Sequence, residues 1–207
     1  MLLSTSVPLI AKARRWSQGV GFAAVGALLL IGTVACSDDD SGAEDATEFS
    51  GVLAEPESAD TAYTYAGAAP AGAEMTVEVA EGEDTTNFAL DSTGFEPDRG
   101  YAIHAHVDPC GTTGDDAGPH YQEEVDPAAT PEEPSADPTY ANPENEVWLD
   151  LSTDDEGAGT SEAEMPFAFG EEAPASIVVH EEMETATGPG EEGRAGGRLA
   201  CLDTPLR

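Results

Sequence analysis

The chain has 207 residues, with 42 acidic against 7 basic, for a formal net charge of −35. No acidic residue precedes Cys36, and only Arg99, Arg194, Arg198 and Arg207 are basic beyond it, so that part carries 42 acids against four bases, a net of −38. Such a charge argues against nucleic-acid binding, which draws its affinity from basic contacts to phosphate, and against adhesion to anionic lipid through a basic patch. At 40% hydrophobic residues the chain can build the core of one ordinary domain.

The first element in chain order is an export signal. Lys12-Ala-Arg-Arg15 is a positive segment, and the uncharged stretch from Val20 to Val34 is rich in Ala, Leu and Gly. Thr33-Val34-Ala35-Cys36 closes it. Small residues ending in Cys after an apolar run resemble the lipobox of bacterial lipoproteins, with Thr33 where a Leu-like residue is usual. The resemblance implies a signal peptide over 1–35 and a mature chain that begins at a lipidated Cys36 on the outer face of the cytoplasmic membrane. A transmembrane helix with an incidental Cys is the alternative; the short apolar run and the abrupt acidic spacer favour the lipoprotein. Either way the remainder lies outside the cytoplasm, where disulfides persist. Residues 37–60 hold nine acids among 24 residues, so 36–60 reads as the lipidated Cys and a disordered acidic tether.

From 61 to 207 short alternating runs suggest one β-domain. Met75–Val79, Asn87–Asp91 and Tyr101–Val107 come first, punctuated by Gly82, Gly94 and Pro97. Val147–Leu151 and Glu164–Phe169 follow, with Asp154-Asp-Glu-Gly157 as a hairpin turn. Ser176–His180 and Gly197–Cys201 complete the set. Runs at this spacing, with no helical period after Cys36, predict an all-β antiparallel sandwich or barrel. Two long loops interrupt it. Residues 121–146 contain eight acids and five prolines, a composition that excludes a central strand, and Glu181–Gly196 is rich in Gly and Glu.

The chain has four histidines. His104 and His106 stand at i and i+2 of a β-run, so both rings leave one face of the sheet and can share a metal ion. His120 follows Gly118-Pro119 in a turn, and His180 ends Ile-Val-Val. A His-x-His pair alone is more often a solvated pair than a ligand set. Imidazole suits copper, zinc, iron and nickel, and an all-nitrogen tetragonal set favours Cu(II).

Taken together, His104-Ala-His106, Cys110, Gly118-Pro-His120, Val178-Val-His180 and Arg198-Leu-Ala-Cys201 resemble the copper/zinc superoxide dismutase family in order and spacing, from about Met75 to Cys201. The resemblance implies a Greek-key β-barrel. It also implies that His104, His106, His120 and His180 are the ligands of one copper, that Cys110 and Cys201 form a disulfide, and that Arg198 guides and holds superoxide. His120 takes the place of the metal-bridging histidine. With Cys36 assigned to the lipobox, two cysteines remain for that bridge.

The pattern breaks at the zinc site. The loop that supplies the family's zinc histidines is here 121–146, which has none, and its zinc aspartate falls at Val147. The chain therefore looks like a copper-only member without a zinc site, in which Glu144 or Glu146 could serve His120 as an outer carboxylate partner. Glu184 stands where the family has an aspartate linking the two metals. The expected function is extracytoplasmic superoxide dismutation to O2 and hydrogen peroxide. The alternative is a non-catalytic copper-buffering lipoprotein of the same fold, which would not need Arg198.

Overall fold

The structure, a computed structural model, describes residues 46–130 and 133–206. The signal peptide 1–35 and Cys36 lie outside the described residues. Among those described, no helix is long and apolar enough to cross a membrane.

Ten strands run through the described part: β1 Ala46–Val52, β2 Ala62–Thr64, β3 Glu74–Glu81, β4 Thr86–Thr93, β5 Gly100–Tyr101, β6 Ile103–His106, β7 Leu151–Ser152, β8 Gly159–Met165, β9 Ser176–His180 and β10 Arg198–Asp203. One short 3-10 turn spans Gly114–Ala117. The strands form two four-stranded sheets, β1-β3-β4-β8 and β2-β10-β9-β6, with a small β5-β7 ladder beside them. Every ladder is antiparallel.

Period-two alternation builds the core between the sheets. β3 contributes Met75, Val77 and Val79, and β4 contributes Phe88 and Leu90. They meet Ile103, Ala105, Ile177, Val179, Ala200 and Leu202 from the second sheet. The expected all-β antiparallel architecture is present, as a sandwich. The sheets are not closed into a barrel: among the described residues no ladder joins β1 or β8 to β2 or β6.

Three expectations need correction. The acidic segment is not a tether throughout, because β1 pairs with β3 from Ala46↔Ala80 to Val52↔Glu74 and Leu53 is buried. Composition predicts disorder there because charged side chains outnumber apolar ones. The backbone ladder, with Phe49 and Leu53 as anchors, supplies the binding that side chains lack. Among the described residues, strand structure thus begins at Ala46, not at 61. The second correction concerns Val147–Leu151, of which only Leu151 joins a ladder, while Trp148 makes a single bridge to His104. The third concerns Glu164–Phe169. The strand is Gly159–Met165, whose inward-facing positions are small and weakly patterned, and it stops at Pro166, which has no amide proton to donate.

The second sheet has two differently used faces. Ile103, Ala105, Ile177 and Val179 enter the core, so His104, His106, Val178 and His180 project from the other face. Covering that face is the loop after β6, held down where Val178, Cys201 and Ala117 pack with Cys110, Tyr63 and Tyr65. Cys110 and Cys201 are joined by a disulfide across 91 residues of sequence. A loop of that length corresponds to about 4–5 kcal/mol in the chain-entropy account.

Candidate metal centre

Sheet geometry delivers three of the four histidines. His104 and His106 leave the same face of β6, and β9 lies antiparallel beside it with His180 at its end. His120 arrives from the loop, tied by a bridge to His106. The loop can turn there because Gly118 has φ 69°, and a Cβ at that position would press into Val107 and Asp108.

The four rings converge. His104 Nδ1 lies 3.1 Å from His120 Nε2, and His106 Nε2 lies 3.2 Å from His180 Nε2. Ligand nitrogens of His104, His120 and His180 all fall within 4.8 Å of one another. His104, His106 and His180 are buried.

Proton accounting shows what such a cluster can hold. His106 Nδ1 faces the Gly118 carbonyl at 2.9 Å and His180 Nδ1 faces that of Gly196 at 3.4 Å. A carbonyl only accepts, so each of these rings carries its proton on Nδ1 and turns the lone pair of Nε2 inward. Two lone pairs 3.2 Å apart repel unless a cation lies between them. Burial resists a proton there, holding His104 and His106 well below the usual imidazole range, with the neighbouring ring of His120 adding to it. His180 is pushed down to about 3 by burial and by His120. A bound metal cation satisfies the same lone pairs without protonating the rings. The donor set therefore fits a nitrogen-liking transition metal.

Of the two acids expected beside His120, the structure selects Glu146. Its Oε2 accepts from His120 Nδ1 at 3.2 Å and from Trp148 Nε1 at 2.8 Å, and Oε1 accepts from Gln122 Nε2 at 2.7 Å. Glu146 is only 2% exposed, so water competes little for these hydrogen bonds. Glu144 is exposed and its backbone amide donates to Asn142 Oδ1, so its expected role is corrected: the acid bonded to His120 is Glu146. The Pro-rich segment that carries both acids is folded by turns, with Asn145 bonding Glu124 and Tyr140. Val147, next in sequence, is fully buried in the hydrophobic core.

Arg198 reaches the same face through a β-bulge. Arg198 pairs with His180 and Ala200 with Val179, which leaves Leu199 as the extra residue, turned into the core. Without that insertion strict alternation from Cys201 would send Arg198 inward. Its Nη1 donates to the Gly114 carbonyl and Nη2 to that of Gly118, both at 2.6 Å. His120, His180, Arg194 and Arg198 line one cleft.

Sequence reasoning missed two residues. Thr185 Oγ1 lies 2.6 Å from His104 Nε2 and donates to Asp150 Oδ1 at 2.7 Å. Glu184, at the position expected to carry a linking acid, is exposed. The only signal lay in adjacency: Thr185 is the next residue.

Two outcomes are expected. Glu146→Gln weakens binding of Cu(II) roughly 10–100-fold, because an amide orients His120 Nδ1–H less well than a carboxylate, whereas Glu144→Gln leaves it within error. Competition titration against a chromophoric chelator reads the difference. In the metal-free protein, histidines held neutral by the fold gain protons on unfolding. Stability is therefore lost as pH falls below about 6.5, at about 1.4 kcal/mol per pH unit for each such ring, until the folded value is reached. Urea unfolding at pH 7 and pH 5 should show His180→Asn losing about 2 kcal/mol less than wild type over that interval. Parallel losses in both proteins would contradict the assignment.

Neither protein-family models nor curated proteins yield a match to this chain. Among solved structures, the chain is similar to the Cu/Zn superoxide dismutase from Brucella abortus, with 19% identity, a TM-score of 0.52, and coverage of 77% of this chain and 99% of that one. At this identity the likeness establishes a shared fold: this chain has the β-sandwich architecture of that superoxide dismutase.

Proposed function

We propose that this protein is a copper-dependent superoxide dismutase without a zinc site, exported and held at the outer face of the bacterial cytoplasmic membrane by lipid on Cys36. The observation that carries the proposal is the convergence of four imidazoles, with ring nitrogens paired at 3.1 and 3.2 Å, beside an arginine that lines the same cleft. Supporting it are the fold shared with the Brucella abortus enzyme and the core position of Val147, where a zinc aspartate would fall.

Copper bound by His104, His106, His120 and His180 would supply one-electron chemistry, oxidising one superoxide to O2 and reducing a second, with two protons, to hydrogen peroxide. The chain's own residues hold and aim. Arg198 is braced by two carbonyls, so its guanidinium meets an anion in a fixed orientation, and each terminal nitrogen keeps a second N–H. Glu146 keeps a proton on His120 Nδ1 and so keeps His120 Nε2 turned toward the other ligands. Gln122 and Trp148 hold Glu146 still.

The surrounding charge works against capture. The segment 181–196, whose Arg194 lines the cleft, carries Glu181, Glu182, Glu184, Glu191 and Glu192 against that one arginine. A net charge of −38 beyond Cys36 repels the anion over distances that salt screens, while close contact with Arg198 is screened much less.

The rate of superoxide consumption per copper is accordingly expected to hold steady or rise from low to moderate ionic strength, where a positively steered site would slow. Arg198→Glu is expected to lower that rate on the order of tenfold to a hundredfold with copper content nearly unchanged, and Arg194→Glu far less. Stoichiometric copper with unaltered consumption in Arg198→Glu would overturn the anion-holding role, and copper bound without any activity would favour copper storage. For the anchor, Cys36→Ala is expected to move the protein from the membrane fraction to the soluble one. Retention of that variant in membranes would contradict the lipid tether.

A further inference from the structure

His106 and His180 direct their outer nitrogens at main-chain carbonyls, and His120 directs its own at a carboxylate. Each of those partners only accepts, so each fixes the ring's proton by itself. His104 differs in two respects. It turns Nδ1 toward the cluster instead of Nε2, and its outer partner is the hydroxyl of Thr185. A hydroxyl can accept or donate, so by itself it leaves the proton of His104 unassigned.

Asp150 removes that freedom. Its Oδ2 accepts the Thr185 amide at 2.6 Å, and its Oδ1 accepts the Ile103 amide at 3.1 Å together with the Thr185 hydroxyl at 2.7 Å. The single hydroxyl proton of Thr185 is spent on Asp150. What Oγ1 offers His104 Nε2, at 2.6 Å, is a lone pair, and the ring must donate. Thr185 and His104 are both buried, so water does not compete for these bonds.

We propose that Asp150 and Thr185 act as a relay that fixes the proton of His104 on Nε2 and frees Nδ1 to bind metal, which makes Thr185 a positioning residue. The same carboxylate ties β6, through Ile103, to the loop after β9, through Thr185. One node therefore sets both the tautomer of His104 and its distance from the other three rings. The hydrogen-bonded relay stands on the protein's own geometry. Only its purpose, orienting a metal ligand, rests on the function proposed above.

The test has two readouts. In metal-free protein, long-range 1H–15N correlation of the histidine rings is expected to show the His104 proton on Nε2. Thr185→Val, which keeps the shape and removes the hydroxyl, is expected to shift His104 toward the Nδ1–H form or into exchange between the two. Thr185→Ser is expected to restore the wild-type signature, and Glu184→Ala to leave it unchanged. On titration with Cu(II), Thr185→Val is expected to bind about 10–100-fold more weakly and Thr185→Ser to recover. A wild-type His104 carrying its proton on Nδ1 overturns the proposal, and needs no variant to fold. So does a Thr185→Val protein with unchanged ring signals and unchanged copper affinity. If the ring signals respond as expected while wild type fails to bind Cu(II), the relay stands and the metal reading fails.

Discussion

Four imidazoles can be packed with their lone pairs turned inward only if every outward N–H finds an acceptor. Burying an N–H without a partner costs on the order of 1–3 kcal/mol, so four such losses would be comparable to the whole stability of a small domain, about 5–15 kcal/mol. The architecture around the cluster reads as the solution to that constraint. Gly118 and Gly196 offer carbonyls, Glu146 offers a carboxylate, and Asp150 makes an acceptor of Thr185. Each acceptor comes from a segment outside the strands that carry His104, His106 and His180. The loops are therefore as necessary to the cluster as the sheet.

The Gly118 carbonyl couples this constraint to the cleft. It accepts from His106 Nδ1 and from Arg198 Nη2, so the metal-facing ring and the anion-facing guanidinium share one oxygen. The disulfide from Cys110 to Cys201 ties the same loop to β10, three residues from Arg198. Displacing that loop would move a ring and a cation together. A rigid loop also spares the protein the cost of ordering Arg198 when an anion arrives.

Acidity shapes the surface but largely stays out of the centre. Glu146 is the carboxylate bonded directly to a ring of the cluster, and it sits in a cage of three donors. Asp150 is one hydroxyl removed. Both carboxylates would compensate the charge of a cation held by the rings, and Glu146 lines the same cleft as Arg198. A buried carboxylate of this kind is costly unless matched by charge and hydrogen bonds, which gives the cluster a further reason to favour a metal.

Much of this was legible in the chain. Alternation in Met75–Val79 and Asn87–Asp91 predicted strands that the structure contains, because period-two burial is a local property, and the short apolar run Ser176–His180 is a strand buried along its whole length. The His104–His106 pair shared a face for the same reason. Other features depended on partners distant in sequence. β1 is a strand because β3 offers it a ladder, although its own composition is that of a tether. Glu146 and not Glu144 reaches His120 because the turns of 137–146 decide which acid faces inward. Thr185 matters because Asp150, 35 residues earlier, accepts the hydrogen bond of its hydroxyl. Arg198 faces the cleft because one extra residue at Leu199 reverses the alternation of β10. Residue types and periodicity determined which chemistry was available. Non-local hydrogen bonding decided which residues perform it, since burial and pairing belong to the assembled sheets and not to any segment of chain.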